Sequence, residues 1–338
     1  MDHIGIDVHQ KYSEICVVSE EGSVLGQARI PTTRTSLERW FGGLEPARVV
    51  IEAGGSTSWV SRVLDELGHE VTVVDPRRVR LIAESTMKTD AIDAEVLARL
   101  SRFGRELLHS VHRRSATSQV LQARVGSRAA LVRAQTSLVN SLRGTLRGFG
   151  LRIAGGRSKV VAGYGALQID AQLRQALDPL VAMLAALADQ LSALDKELAQ
   201  VAAADEVARR LMTVPGVGPV TSLSYQCWID EPGRFKRSRD VGAYVGLRPR
   251  IRSSGGKSQR GSISHQGSAE MRSLLVQAAH TLLRSTKHSE LKTWGESLAQ
   301  RVGKKRAVVA IARKLAVLLH HLWVAQSNFD AAPSRKAA

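Results

Sequence analysis

Residues 3–8 read His-Ile-Gly-Ile-Asp-Val, an apolar run with one carboxylate near its end, and such a run is typical of a short β-strand. Two further strands are expected around residues 13–19 and 23–30, because turn-forming residues stand between the runs at 9–11 and 20–22. The chain therefore begins with three successive hairpin-like strands.

Helical and strand patterns alternate after this series. A helix is expected near residues 35–43, a buried strand at 48–52, a helix near 57–67 that ends at a glycine, and another strand at 70–74. Hairpin strands followed by alternating helix and strand predict an α/β layer architecture with a mixed sheet.

A strict heptad repeat marks the middle of the chain and predicts a long helix with one apolar seam. The seam consists of Leu180, Leu184, Leu187, Leu191, Leu194, Leu198 and Val201. Asp178-Pro179 is expected to start this helix, with Asp as the N-cap. A second seam consists of Leu121, Val125, Val132, Val139, Leu142, Leu146 and Phe149. A loop around Gly155-Gly156 would make the two helices an antiparallel pair, and packing within one chain and pairing between subunits both remain open.

The composition changes again after residue 205, where a Pro- and Gly-containing segment precedes a basic stretch and two helical patterns near 268–284 and 305–325. The predicted organisation is an α/β domain at 1–112, a helical coiled-coil region at 113–204, a mainly helical C-terminal domain at 205–330 and a disordered tail at 331–338.

Lys and Arg outnumber Asp and Glu by 48 to 31, which leaves a formal net charge of +17. Such a surplus attracts polyanions by releasing their counterions, so nucleic acid is the expected partner and an anionic membrane the weaker alternative.

Cys16 and Cys227 are too few and too far apart for a disulfide framework or a thiolate zinc site. The N-terminus lacks a secretory signal, and charges interrupt the longest C-terminal apolar run, so a soluble cytoplasmic protein without a membrane span is expected.

Four acidic residues stand at the ends of predicted elements. Asp7 interrupts the first strand, and Glu52 closes a later one. Asp90 and Asp93 have the spacing that puts two side chains on one face of a helix. Together such carboxylates would hold Mg²⁺ or Mn²⁺, and a pair of these ions activates the attacking oxygen and stabilises the leaving oxygen of a phosphodiester. Taken singly, each residue has an ordinary alternative as a strand-end, turn or capping residue.

The stretches Gly5–Lys11, Ile51–Gly55 and Lys88–Ala94 resemble the N-terminal DEDD domain of the insertion-sequence one-ten family of transposases. Further motifs of the same family stand at Val214–Pro219, Gly242–Pro249, Ser253–Lys257, Gly261–Gly267 and Met271–Leu275. The resemblance covers about residues 3–325. It implies a RuvC-like, ribonuclease-H-type fold for the N-terminal domain.

The resemblance further implies a recombinase with two kinds of catalytic group. The family's four acidic, metal-binding residues correspond to Asp7, Glu52, Asp90 and Asp93. Its nucleophilic serine best matches Ser254, with the adjacent Ser253 as the alternative. The resemblance also implies a noncoding bridge RNA that pairs with target and donor DNA.

The stretch from residue 234 to 260 holds nine Lys or Arg and one acidic residue, a density that favours phosphate contacts. A serine hydroxyl needs a base or a metal to become a nucleophile, and the implied arrangement is a composite site with the carboxylate-bound metal. A Ser- and Gly-rich linker is the alternative for this segment. The glycines of Val214–Pro219 resemble a helix-hairpin-helix turn that contacts phosphates, and a plain interhelical turn is the alternative. The residues expected to bind nucleic acid are Lys88, Gly216, Gly218, Arg248, Arg250, Arg252, Lys257 and Arg260.

The resemblance therefore implies an RNA-guided transposase that cuts and rejoins DNA through a serine–DNA ester. A homodimer or tetramer is expected, because recombination holds two duplexes and exchanges four strands. Aromatic residues make up only 4% of the chain, which favours backbone and shape contacts over base stacking. A metal-dependent junction nuclease and a non-catalytic RNA-binding regulator are the two alternatives.

Overall fold

The structure is a computed structural model that describes residues 1–77, 89–102, 108, 110–254 and 257–331, with the backbone alone at 251–254, 257, 258 and 260. The chain divides into two compact units, Met1–Arg114 and Ser115–Ala338. Lys88 and the tail at 332–338 lie outside the described residues.

The first unit is built on a five-stranded mixed sheet with the order β3-β2-β1-β4-β5. Its strands are β1 (His3–Val8), β2 (Tyr12–Val18), β3 (Val24–Pro31), β4 (Arg48–Glu52) and β5 (Glu70–Val74). The first three strands pair antiparallel, and β4 and β5 run parallel to β1. The expected strands and the mixed α/β architecture are thereby confirmed.

Two helices, α1 (Arg34–Phe41) and α2 (Thr57–Glu66), cover one face of this sheet. The alternation of the strands explains the choice of face, because successive side chains point to opposite sides. Ile4 and Ile6 of β1 point to the α1–α2 side and are buried there with Leu37. This layer forms the main apolar core of the first unit.

The other face of the sheet is covered by α3 (Asp90–Ser101), and here the packing depends on small residues. A Cβ atom at Gly5 would stand 2.0 Å from the carbonyl oxygen of Ala94 and 2.3 Å from the amide nitrogen of Ala98. Ala94 and Ala98 are themselves fully buried, in contact with Cys16 and Val18 of β2. The backbone of α3 therefore lies directly on β1 at Gly5, closer than any side chain at that position would permit.

The second unit begins with two long helices, α4 (Ala116–Gly148) and α6 (Ala171–Ala204), separated by a 3₁₀ turn at Arg157–Lys159 and the short α5 (Val160–Gly165). The long helices run antiparallel, because Arg128 pairs with Asp195 while Leu146, further along α4, packs in one cluster with Leu177. The seam residues Leu184, Leu187, Leu191 and Leu198 are buried within this one unit. This burial favours packing within the chain over pairing between subunits.

Two features of the predicted seams are wrong. The helix of the first seam begins at Ala171, because Asp170 accepts hydrogen bonds from the amides of Gln172 (2.8 Å) and Leu173 (3.3 Å), and Pro179 lies inside it. Pro179 cannot donate the backbone hydrogen bond of a helix. The burial of Leu177 in the core with α4 stabilises the helix across this missing bond. In the second seam, Phe149 is the C-cap of α4 and is 62% exposed.

The rest of the second unit is mainly helical. It contains α7 (Glu206–Met212), α8 (Pro219–Ile229), α9 (Ser238–Tyr244), the hairpin of β6 (Pro249–Ser254) and β7 (Lys257–Ile263), α10 (Ala269–Arg284), α11 (Glu290–Val302) and α12 (Lys304–Val324). The two helices expected near 268–284 and 305–325 are confirmed as α10 and α12. The β6–β7 hairpin was not expected, because the residues 249–263 contain too few apolar side chains to show a strand pattern.

Within the described part of the chain, α6 and α12 are long and apolar enough to cross a membrane, judged by length and composition alone. This differs from the expectation that charges leave no such candidate at the C-terminal end. Half of the apolar window of α12 (50%) and a smaller share of that of α6 (17%) are buried in the protein. Helices in the cores of soluble proteins meet the same criterion, so these two are weak indications of membrane association.

The close packing of α3 on β1 gives a testable expectation. We expect Gly5→Ala to destabilise β1 and α3 by about 1–3 kcal/mol, because the added methyl group must push the helix backbone away. The measurement is hydrogen exchange of peptides from these two elements in the full chain. Gly26→Ala on β3 is the matched control, since a Cβ atom there meets nothing within 4 Å. Equal protection of β1 in the two variants would contradict this account of the packing.

Candidate active site

Asp7 and Glu52 are brought together by the register of two parallel strands. Ile6 of β1 pairs with Ile51 of β4. The residues that follow them, Asp7 on β1 and Glu52 on β4, therefore stand side by side. Strand alternation puts Asp7 on the face of Gly5, which is the face that α3 covers. The loop after Glu52 is held by Thr57, whose hydroxyl donates to the Glu52 carbonyl at 2.7 Å and accepts from the Gly54 amide at 2.8 Å.

Asp90 and Asp93 both lie in the first turn of α3. Thr89 is the N-cap, and its side chain accepts a hydrogen bond from the Ile92 amide at 3.3 Å, so Asp90 is not used as the cap. Negative charge is favourable in this turn because the free amides and the dipole of the helix are positive there. The helix thus directs two carboxylates to the end of the sheet at which β1 and β4 finish.

Two residues that the sequence analysis did not select complete this cluster. The Nε2 atom of His9 lies 3.0 Å from Oδ2 of Asp7 and 3.4 Å from Oδ2 of Asp90. The hydroxyl of Tyr12 donates to the same Asp90 oxygen at 3.0 Å. His9 follows Asp7 by two residues, a spacing that puts two side chains on one face of a strand. The turn-forming residues at 9–11 instead favoured reading His9 as part of a loop.

The electrostatics of the cluster are those of crowded carboxylates. Burial raises the pKa of Asp7 above its usual value, and the negative charges of Asp90 and Asp93 raise it further, against a lowering by His9. The pKa of Tyr12 is raised by its hydrogen bond to Asp90 and by the charge of that carboxylate. Burial and the neighbouring carboxylates both disfavour the ionised form of Asp7, so a cation bound here would stabilise the ionised cluster.

The donor atoms fit a divalent cation. One atom from each of Asp7, His9 and Asp90 lies within 4.8 Å of the other two. The Nε2 atom of His9 is buried, and although it is near both carboxylates, it makes no aligned hydrogen bond among the described residues. Two carboxylates and an imidazole are ligands that Mn²⁺ and similar ions accept. Glu52 and Asp93 lie outside this close group of three.

Ser254 is the last residue of β6 and pairs with Lys257 across the hairpin, and Ser253 pairs with Ser258. The side chains of Ser253, Ser254 and Lys257 lie outside the described residues, as do those of Arg252 and Arg260. The assignment of the nucleophile therefore stays a prediction.

The described residues among the predicted nucleic-acid contacts differ in their surroundings. Arg248 and Arg250 are exposed, and Arg250 donates a hydrogen bond to the Ser264 carbonyl at 3.2 Å. Gly216 has a positive φ of 91°, and a Cβ atom there would stand 2.4 Å from the Ala278 carbonyl oxygen, so this glycine lets its loop pack on α10. Gly218 is the N-cap of α8 and has open space where a side chain would be. Phosphate contacts by all four residues stay predictions.

Comparison with known proteins finds transposase families along both units of the chain. Residues 4–150 match the DEDD transposase family of IS110 type, described as "Transposase", and residues 208–293 match the family described as "Transposase IS116/IS110/IS902 family". The chain is 30% identical to the transposase for insertion sequence element IS1111A of Coxiella burnetii, over 96% of this chain and 90% of that protein. It is also 30% identical to the transposase for insertion sequence element IS1328 of Yersinia enterocolitica, over 93% and 94% of the two chains. Full-length similarity of this kind shows that the chain belongs to the IS110 (insertion-sequence one-ten) family of transposases.

Proposed function

We propose that this transposase cuts and rejoins DNA strands with a divalent cation, Mg²⁺ or Mn²⁺, held by Asp7, Glu52, Asp90 and Asp93, and with Ser254 as the nucleophile. The observation that carries the proposal is the convergence of Asp7 and Asp90, from a strand and a helix far apart in sequence, on the buried Nε2 atom of His9. When bound, the cation would supply Lewis-acid activation of an oxygen at the phosphodiester. The protein's part is to hold the carboxylates in place.

The fold of the first unit supports a RuvC-like, ribonuclease-H-type assignment. Its sheet order has three antiparallel strands followed by two parallel ones. The acidic residues stand at the ends of neighbouring parallel strands and at the N-terminus of the helix that crosses the sheet. We also propose the finer division of the chain into a catalytic domain at 1–112, a helical region at 113–204 and a C-terminal transposase domain at 205–330.

In the proposed chemistry the Ser254 hydroxyl gives up its proton and its oxygen attacks phosphorus, one phosphorus–oxygen bond of the DNA breaks, and the released DNA oxygen takes up one proton, so the protons balance. The product is a serine–DNA ester that conserves the energy of the phosphodiester for rejoining. The exposed Arg248 and Arg250, just before the serine, support this role because guanidinium groups stabilise charge on a reacting phosphate.

The proposed partners are target DNA, donor DNA and a noncoding bridge RNA, in a homodimer or tetramer in the cytoplasm. The net charge of +17 supports binding to nucleic acids. A protein with few aromatic side chains depends on phosphate and shape contacts, so base pairing by a guide RNA would supply the sequence specificity. A junction nuclease or an RNA-binding regulator would instead show no serine–DNA ester.

The first prediction concerns the acidic cluster. Asp7→Asn keeps the shape of the side chain and removes one negative ligand, so we expect at least a 100-fold loss of DNA strand cleavage, with nucleic-acid binding changed by no more than a few-fold. Recombination between two plasmids and a gel-shift assay measure the two properties. Asp2→Asn, at an exposed carboxylate of the same unit, is the control. Full recombination by the Asp7→Asn protein would rule out the metal proposal.

The second prediction concerns the nucleophile. On a suicide substrate we expect a covalent protein–DNA species on denaturing gels, lost in Ser254→Ala and retained in Ser253→Ala. The reverse pattern would move the nucleophile by one residue. A wild-type protein that cuts DNA without any adduct would favour the junction nuclease.

The third prediction concerns the basic stretch. Changing Arg248, Arg250 and Arg252 together to Ala should reduce the slope of log affinity against log salt by up to about three units, because each lost phosphate contact removes about 0.9. The charge-preserving triple change to Lys is the matched control, and it should keep the slope. An unchanged slope in the Ala variant would show that this segment does not contact DNA.

A further inference from the structure

His9 is held in a fixed place beside the acidic cluster by the turn between β1 and β2. Its backbone N–H donates to the carbonyl of Tyr12 at 3.0 Å, which closes the turn. Its ring also packs against the ring of Tyr12, with 5.0 Å between the centroids. Both contacts tie the imidazole to the end of β1, so its position does not depend on an ion pair alone.

The Nε2 atom of His9 faces two carboxylates at close range. It is buried and lies between the two carboxylates, yet it makes no aligned hydrogen bond among the described residues. Adjacent ligands of an octahedral ion with bonds of about 2.1 Å are separated by about 3 Å. The distances from Nε2 to Oδ2 of Asp7 (3.0 Å) and to Oδ2 of Asp90 (3.4 Å) are close to this separation. Nε2 is thus spaced from each carboxylate oxygen as a neighbouring ligand would be, and one donor atom from each of the three residues lies within 4.8 Å of the others.

Tyr12 holds one of these partners in position. Its hydroxyl donates to Oδ2 of Asp90, and the guanidinium of Arg29 lies over its ring, 4.4 Å from the centroid. Arg29 in turn pairs with Glu14, the cross-strand neighbour of Asp7. Among the described residues, the contacts of Tyr12 with the cluster are those to Asp90 and His9, so Tyr12 is a positioning residue and gives a natural contrast with His9.

We infer that His9 is a nitrogen ligand of the divalent cation, next to Asp7 and Asp90, and that it shifts the preference of the site from Mg²⁺ toward Mn²⁺. This inference rests on the proposed function, in which the acidic cluster holds such an ion. Mg²⁺ keeps to oxygen ligands, whereas imidazole nitrogen is a good ligand for first-row transition ions. A site with oxygen ligands alone would bind Mg²⁺ without this bias.

The test measures metal binding to the full chain in the absence of nucleic acid. Mn²⁺ binding is followed by electron paramagnetic resonance of the free ion, and Mg²⁺ binding by its competition with Mn²⁺. We expect His9→Asn to weaken Mn²⁺ binding tenfold or more and Mg²⁺ binding less than threefold. Tyr12→Phe should weaken both ions together and leave their ratio unchanged, because it disturbs a ligand through its hydrogen bond.

A spectroscopic readout on the wild-type protein keeps the inference testable even if His9→Asn fails to fold. Electron spin-echo modulation of bound Mn²⁺ should show coupling to a directly bound nitrogen, and His9→Gln should remove it. Wild-type protein that binds Mn²⁺ without nitrogen coupling, or a His9→Asn protein with an unchanged preference, would overturn the role of His9. Asp7→Asn separates a failure of the His9 inference from a failure of the proposed metal site. If the Asp7→Asn protein binds both ions as tightly as the wild type, the proposed metal site itself is wrong.

Discussion

The contact of α3 with Gly5 is the constraint on which the candidate active site depends. Because β1 has no side chain at this position, the helix backbone lies against the strand at the carbonyl of Ala94. Asp90 is one turn before Ala94, and Asp7 is two residues after Gly5 on the same face of the sheet. One close approach of two backbones thus determines how near the acidic residues of the helix come to those of the sheet. A bulkier residue in place of Gly5 would push α3 away from β1 and so separate the carboxylates, although the sequence would still contain all of them.

Gathering like charges at a half-buried place is unfavourable, and the surroundings offset only part of the cost. The positive N-terminal turn of α3 favours Asp90 and Asp93, and the Tyr12 hydroxyl donates to Asp90. His9 stands between two carboxylates without an aligned hydrogen bond. Burial, together with the charges of Asp90 and Asp93, raises the pKa of Asp7, so its ionised form is disfavoured here. Such a cluster is unfavourable for stability and suited to a cation, which is consistent with a transposase of the DEDD type.

In the second unit, burial distinguishes between two readings that a heptad pattern allows. An apolar seam reads the same whether its partner is a helix of the same chain or of another subunit. Here Leu184 and Leu198 are buried in clusters shared with α4, and the ion pair of Arg128 with Asp195 joins the same two helices. The seam is therefore part of the unit's own core. Any assembly of subunits must use other surfaces, or the parts of the seam that stay half-exposed.

Local pattern in the sequence was enough to predict the five strands of the first unit, most of its helices and the candidate carboxylates, because periodicity and capping depend on neighbouring residues. Tertiary structure alone decided three other matters. Pro179 lies inside a helix because Leu177 is buried in the core beyond it, and the β6–β7 hairpin forms without an apolar alternation. His9 and Tyr12 join Asp7 and Asp90 because strand register and the close approach of α3 bring together groups 78 residues apart in the chain. No local pattern contains such a distance, since it is set by how whole elements pack.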